Sequence, residues 1–311
     1  MRILVFAYHN VGYICLKELL SLKENVVAVF THLDNPSENI WFNSVYELAE
    51  KSNIPVFCPA DLKNTLIYNR IKEFAPDIIF SFYYRYIIPE DILEIPPHGA
   101  INLHGSLLPK YRGRCPVNWV LINGENVTGV TLHYMEKTPD SGGIISQQEV
   151  IISDDDDAFT LFNKITEAAH ILFKNTWPII KYGNFNRIPQ DQSEATYFSG
   201  RKPEDGLIEW KKSSLEIHNL IRGVTHPYPG AFTFYRKRKL FIWKSEIVQY
   251  ENYSKKIPGT IIETGYKTGV VVKTGKGCIK LKSIQFQNEE EINLEKFDKE
   301  LPFNNAEVLG N

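Results

Sequence analysis

The stretch RILVFAYHNVGYICLKELLSLKENVVAVF, Arg2 to Phe30, decides the fold. Arg2 to Ala7 is a short apolar run of strand-forming residues, and Gly12 to Leu22 repeats apolar side chains at helical spacing. Val26 to Phe30 returns to strand character, so the chain opens as β-α-β. Outward from this unit, Ser44 to Lys51 and Thr65 to Phe74 read as helices, and Asp77 to Phe82 and Gly99 to Leu103 as buried strands. Strands alternating with helices predict an α/β fold with a doubly wound, mostly parallel sheet. Ligands of such sheets bind beyond the carboxyl ends of the strands, which places the loops after Phe82 and Leu103 at the expected site.

Thr128 to Met135 and Gly143 to Val150 add two strands, followed by a long helix from about Asp157 to Lys181. Ser153 and the acidic run Asp154 to Asp157 precede that helix. Capping explains these carboxylates better than a metal site, because consecutive side chains at a helix start point in different directions. Gly183 to Asp205 is polar, Gly- and Pro-punctuated and without period, and reads as a connection. Beyond it, a helix near Ser214 to Ile221 precedes β-type runs at Phe232–Tyr235, Leu240–Trp243, Thr260–Glu263, Gly269–Lys273 and Cys278–Ile284. The expected organisation is a catalytic domain over 1–185, a linker over 186–205, and a smaller β-barrel-like (OB-like) C-terminal domain over 206–311. Its charged tail, from about Asn288, is expected to be loosely held.

With 311 residues and 43% hydrophobic content, the chain is long enough for two cores. A net charge of -2, from 35 basic and 37 acidic side chains, gives no overall attraction to nucleic acid or an anionic membrane. No charged leader precedes the first strand and no apolar stretch is long enough to cross a bilayer, so a cytoplasmic protein is expected. Cys15, Cys58, Cys115 and Cys278 form no C-x-x-C pair, which argues against a zinc knuckle or a disulfide framework.

The densest constellation of chemically useful residues is NLHGSLLPKYRGRCP, Asn102 to Pro116, which leaves a strand and becomes a Gly- and Pro-punctuated loop. Asn102 and His104 are two apart, so an extended backbone puts both on one face. An amide and an imidazole facing one space suit acyl transfer: one donates to a developing oxyanion, the other moves protons. Asp140, in the turn Thr138-Pro139-Asp140-Ser141-Gly142-Gly143, is the carboxylate that could set the imidazole charge, although an Asp in such a turn can equally be a turn residue.

Asn-x-His followed by Ser-Leu-Leu-Pro-x-Tyr-Arg-Gly, and then an Asp-x-Gly turn, resembles the folate-dependent formyltransferases, the superfamily of methionyl-tRNA and glycinamide ribonucleotide formyltransferases. Phe6–His9, Phe30–Pro36, Phe80–Arg85 and Asn118–Leu121 look most like the formyltransferase domain of the bifunctional enzyme that modifies 4-amino-4-deoxy-L-arabinose for lipid A. The resemblance runs from Met1 to about Ser245 and fades beyond it. It implies a Rossmann-like formyltransferase core, 10-formyltetrahydrofolate as formyl donor and no metal. It also implies that Asn102 stabilises the oxyanion, His104 shuttles protons and Asp140 supports the imidazolium. Folate contacts carry over to Tyr86, Ile87 and Ile88, to Arg114, and to the turn Glu136, Lys137, Thr138, Pro139 and Asp140.

Cys115 inside the motif invites a thiol mechanism, but direct transfer needs no covalent step and packing is the preferred reading. Tyr8–Gly12 has one glycine where a dinucleotide fingerprint has three, which argues against a dehydrogenase. His98, His133, His170 and His218 read as structural or surface histidines. For the acceptor, methionyl-tRNA relatives carry a basic insertion where this chain has His32–Phe42, a loop with no Lys or Arg and with Asp34 and Glu38. Such a loop repels phosphates. Arg236-Lys237-Arg238-Lys239 is either a phosphate patch or a solvated hairpin turn, the second being preferred. Trp41, Phe42, Asn118 and Trp119 are candidate contacts for a sugar or base.

The expected partners are thus a nucleotide-linked amino sugar and folate, with no nucleic acid or membrane and with monomer and homodimer both open. UDP-4-amino-4-deoxy-L-arabinose is the first candidate acceptor. A dTDP- or GDP-linked amino sugar, charged initiator tRNA, and a non-catalytic folate-binding regulator are the alternatives.

Overall fold

The computed structural model describes residues 1–35, 38–183, 186–250, 255–265, 269–297 and 302–310. Pro36 of the Phe30–Pro36 segment lies outside the described residues, as do positions 184–185, where the expected domain boundary falls. Two units emerge: Met1–Pro116 with Val127–Ile151 and Phe162–Ser199, and Val117–Asn126 with Ile152–Leu161 and Gly200–Asn311.

The chain begins β1 (Arg2–Ala7), α1 (His9–Ser21), β2 (Asn25–Phe30), α2 (Val45–Lys51), β3 (Val56–Phe57), α3 (Thr65–Glu73), β4 (Ile78–Phe82) and α4 (Glu90–Leu93). It continues β5 (Ala100–His104), β6 (Arg112–Gly113), α5 (Pro116–Ile122), β7 (Val127–Tyr134), β8 (Ile144–Ile151), α6 (Ala158–Tyr182) and β9 (Tyr197–Phe198). The opening β-α-β is therefore as its periodicity predicts. Ile3 to Ala7 are fully buried, the pattern of a central strand in a sheet covered on both faces.

The main sheet has the order β3-β2-β1-β4-β5-β7-β8. The pairs from β3 to β5 are parallel, whereas β7 runs antiparallel to β5 and β8 to β7. Period-two alternation splits β4 between the two faces. Phe80 and Phe82 meet Phe173 of α6 edge-on, and Phe80 also meets Trp177. Ile79 joins Leu4, Phe6, Phe30, Ile71 of α3 and Ile92 of α4. The chain leaves β1 toward β2 and β3 and resumes at β4 on the other side, so the switch point opens at the carboxyl ends of β1 and β4. Among the described residues, no helix is long and apolar enough to cross a membrane.

Residues 186–199 do not run free as a linker. Tyr197–Phe198 pair with Arg112–Gly113, and Ile188 exchanges two backbone hydrogen bonds with Ile144. Of Ser153 and the acidic run before α6, it is Asp157 that caps the helix, accepting from the N–H groups of Phe159 and Thr160, while Asp156 accepts from the N–H and hydroxyl of Ser153 ahead of it.

In the second unit, α7 (Ser214–Val224) starts with a reciprocal Ser213–Glu216 capping box. It is followed by β10 (Ala231–Tyr235), β11 (Arg238–Val248), β12 (Ile261–Gly265), β13 (Gly269–Lys273), β14 (Cys278–Phe286) and β15 (Ile292–Asn293). These form an antiparallel sheet, β10-β11-β14-β13-β12, with β15 beside β14. Ile217 and Ile221 of α7 share one core with Ile242, Ile279 and Leu281. The loosely held tail is a correction. Leu294, Phe303 and Leu309 are buried in that core, and three apolar anchors outweigh the charges around them. The basic cluster is a hairpin turn whose charges are largely engaged. Arg236 pairs with Glu307, Arg238 with Glu289, and the Lys239 ammonium lies over the Phe232 ring at 3.9 Å.

Candidate active site

β5 and β7 pair so that Asn102 stands opposite His133, and His104 opposite Thr131. Facing positions on one side of a sheet are neighbours, so four polar side chains gather at one patch. The loop after His104 is held down by the same patch. Thr131 Oγ1 donates to the Ser106 carbonyl at 2.7 Å and accepts from the Leu108 N–H at 3.1 Å, while Ser106 Oγ donates to the Lys110 carbonyl at 2.7 Å.

Asp140 arrives from the turn between β7 and β8 with φ at 58°, a left-handed conformation that Asp tolerates better than most residues. The turn closes tightly enough that a Cβ on Gly142 would stand 2.0 Å from the Tyr134 carbonyl oxygen, which explains the Asp-x-Gly pattern. Asp140 Oδ2 accepts from the Gly113 N–H at 2.8 Å. Oδ1 stands 3.6 Å from His104 Nδ1 and 3.7 Å from His133 Nε2. His104 Nε2 is 2.8 Å from the Tyr111 carbonyl, so one ring nitrogen faces a carbonyl and the other a carboxylate. Burial pushes the Asp140 carboxyl up, but His104, His133, the Gly113 N–H and Arg112 outweigh it and hold the group below its ordinary value.

His133, read from sequence as structural, belongs to this cluster. Its Nδ1 lies 2.7 Å from the Tyr134 carbonyl, which can only accept, so Nδ1 carries the proton and Nε2 the lone pair. Asn102 Nδ2 then donates to that lone pair at 3.1 Å, which fixes which way the amide faces. Burial, with His104 adding to it, lowers the His133 pKa to about 4, against the partial opposition of Asp140. The signal missed was pairing register, which joins residues 31 positions apart.

The other expected site residues divide. Lys137 Nζ is 3.1 Å from Glu90 Oε2, which brings the exposed turn 136–139 to the start of α4, just after Tyr86 and Ile87. Those two are exposed, at 48% and 76%, while the Ile88 side chain is buried in the core and could offer a ligand only its backbone. Arg114 is exposed, one residue beyond the Gly113 that holds Asp140. Trp41 and Phe42 form an aromatic box with His9 and Phe162 beyond the end of β1. Asn118 is buried and donates to the Gly223 carbonyl at 2.8 Å, and the Trp119 ring carries the Arg201 guanidinium at 4.6 Å. Of the other three histidines, His170 is tied to Glu18 at 2.7 Å and His218 to Ser245 at 3.0 Å.

A pH dependence of stability follows from three histidines of this unit. Burial lowers His9 to about 3 and His32 to about 4, each assisted by Arg85, and His133 lies at about 4. All are below the unfolded value of 6.5, so on acidification the unfolded chain takes up these protons first. Stability should be undiminished above about pH 6.5 and fall toward about pH 4, each histidine adding a slope of about 1.4 kcal/mol per pH unit. Urea unfolding at about pH 7 and about pH 5 measures this. His133→Gln should flatten the dependence, and an equal slope in that variant would contradict the assignment.

Residues 1–176 match the formyl transferase family, and residues 201–302 match the formyl transferase C-terminal domain. Among solved structures the chain is similar to the N-formyltransferase from Helicobacter canadensis in complex with folinic acid and dTDP-3-aminofucose, with TM-score 0.69 and 22% identity over 90% of this chain and 98% of that one. It is also similar to WlaRD, a sugar 3N-formyl transferase solved with dTDP and 5-N-formyl-THF, with TM-score 0.68 and 22% identity over 93% and 99%. A 4-N formyltransferase from Francisella tularensis matches with TM-score 0.58 and 24% identity over 73% and 88%.

Proposed function

The chain belongs to the formyl transferase family and is a formyl-transferring enzyme, and we propose that it moves the formyl group of 10-formyltetrahydrofolate to the amine of a nucleotide-linked 4-amino sugar. UDP-4-amino-4-deoxy-L-arabinose is the first candidate. The observation that carries this reading is the convergence of the Asn102 amide, the His104 imidazole and an ionised Asp140 at one end of β5 and β7.

Bound folate would supply an N-formyl carbonyl, and the adjacent exposed segments 86–87 and 136–139 fit a role in holding it. Asn102 uses one N–H on His133 and can direct its second at the carbonyl oxygen as charge develops there. The amine lone pair forms the new C–N bond while the bond from carbon to the folate nitrogen breaks. His104 carries the proton from the former nitrogen to the latter, and Asp140 balances the imidazolium in between.

The acidic loop 32–42 and the ion-paired Arg236 and Arg238 favour a small acceptor over tRNA. Two of the similar proteins are an N-formyltransferase solved with dTDP-3-aminofucose and a sugar 3N-formyl transferase solved with dTDP, which supports a dTDP-linked 3-amino sugar as the second reading. The test is tetrahydrofolate release from 10-formyltetrahydrofolate in the presence of UDP-amino-arabinose, dTDP-linked 3-amino sugars, dTDP-amino-quinovose or charged initiator tRNA. Turnover with the UDP sugar is expected. Formylation of the tRNA alone would overturn the acceptor class, and folate binding without turnover on any acceptor would point to a regulator.

A further inference from the structure

Arg112 follows the loop beyond His104 and has no exposed surface at all. Its guanidinium is a permanent cation, and taking such a group out of water costs several kcal/mol unless its surroundings compensate. Among the described residues its hydrogen-bond acceptors are all neutral. Nε and Nη2 donate to Gln190 Oε1 at 3.1 and 2.6 Å, and Nη1 donates to Gln192 Oε1 at 2.9 Å and to the Tyr197 hydroxyl. Gln190 is itself buried, at 7% exposure, and its Nε2 donates to the carbonyls of Asp140 at 2.9 Å and Gly142 at 2.7 Å.

The two ends of the Gln190 amide face partners that cannot be exchanged. A guanidinium only donates and a carbonyl only accepts, so a flipped amide is repelled at both ends. We propose that Arg112 and Gln190 are a positioning couple for Asp140: the buried cation orients the amide, and the amide anchors the backbone of the Asp140–Gly142 turn. The inference rests on reading Asp140 as part of the transfer site. The charged and titratable groups around Asp140 are His104 on β5, His133 on β7 and Arg112 on β6, with the Gly113 N–H. Arg187 lies on the Tyr134 ring at 3.4 Å, next to His133. Within that field the carboxyl stays below its ordinary value despite burial, and Arg112 is one of the causes.

Gln190→Glu separates this role from simple neutralisation of Arg112. A glutamate would pair with the guanidinium more strongly but would turn an oxygen toward two carbonyl oxygens and cancel the charge felt by Asp140. In protein labelled with carbon-13 at aspartate carboxyls, with the Asp140 signal identified by its loss in Asp140→Asn, Gln190→Glu should move the Asp140 titration midpoint up. Its kcat with 10-formyltetrahydrofolate and UDP-amino-arabinose should fall on the order of a hundredfold with acceptor KM little changed. Gln190→Met, which removes both hydrogen-bonding ends without adding charge, should also lower kcat, and it carries the test if the glutamate variant does not fold. A folded Gln190→Glu or Gln190→Met with wild-type midpoint and wild-type kcat overturns the couple. The titration needs no substrate, so absence of turnover in the unmodified protein counts against the transfer reading alone, while the midpoint still decides the couple.

Discussion

Asn102→Ala should lower kcat for formyl transfer by about a hundred- to a thousandfold, the usual loss on removing one donor aimed at a developing oxyanion. The effect should appear in kcat with little change in KM for either substrate, because the hydrogen bond strengthens only as the carbonyl oxygen gains charge. Alanine also strands the His133 Nε2 lone pair that Asn102 now serves, at about 1–3 kcal/mol of stability. Circular dichroism and thermal melting must therefore accompany the kinetics. His104→Ala should be at least as damaging, since it removes the proton carrier and the imidazole that stands 3.6 Å from the buried Asp140 carboxylate. Cys115→Ala is the contrasting variant. Cys115 is half-buried with φ at 55°, direct transfer has no thiol step, and turnover should be retained. A folded Asn102→Ala protein with near-wild-type kcat would remove the amide from the mechanism, and a folded but inactive Cys115→Ala would restore the thiol route.

The parts of the site that were legible in the sequence are those fixed by local geometry. Period-two alternation put Asn102 and His104 on one face before any fold was known, and β-α-β periodicity placed them at a strand end where ligands bind. The parts that were not legible depend on pairing at a distance. His133 enters only because β7 pairs with β5 in a register that sets it opposite Asn102. Gln190 sits in a polar stretch without period, and nothing local shows that its amide spans a buried guanidinium and two carbonyls. The resemblance supplied the role of Asp140, while its left-handed φ and the close approach at Gly142 account for the Asp-x-Gly pattern. Two-residue strands such as β6 and β9 leave no periodic trace, yet they tie residues 197–198 to the loop beyond His104. Composition reads the tail as loose because Leu294, Phe303 and Leu309 are scattered through a polar, partly charged segment, and single apolar anchors are invisible to composition.

Gly113→Ala should destabilise the protein by about 3 kcal/mol or more and reduce turnover with it, because three demands meet at this position. Its φ of 95° is a conformation that L side chains rarely adopt, and an added Cβ would stand 2.2 Å from the Phe198 carbonyl oxygen. That neighbour is backbone, paired with Gly113 in the β6–β9 ladder, and cannot rotate away as a flexible side chain would. The Gly113 N–H also donates to Asp140, so any backbone shift that relieves the clash moves the carboxylate relative to His104. Gly183→Ala isolates the conformational contribution: φ there is 75°, and among the described residues a Cβ would meet nothing within 4 Å. That variant should lose only about 1 kcal/mol and keep its kcat. Denaturant unfolding of both variants, with kcat measured on the folded fraction, separates strain from clash. Equal stability losses in the two would mean that the Phe198 segment yields freely, and the attachment of residues 197–198 to the loop beyond His104 would then be too weak to hold Asp140 in register.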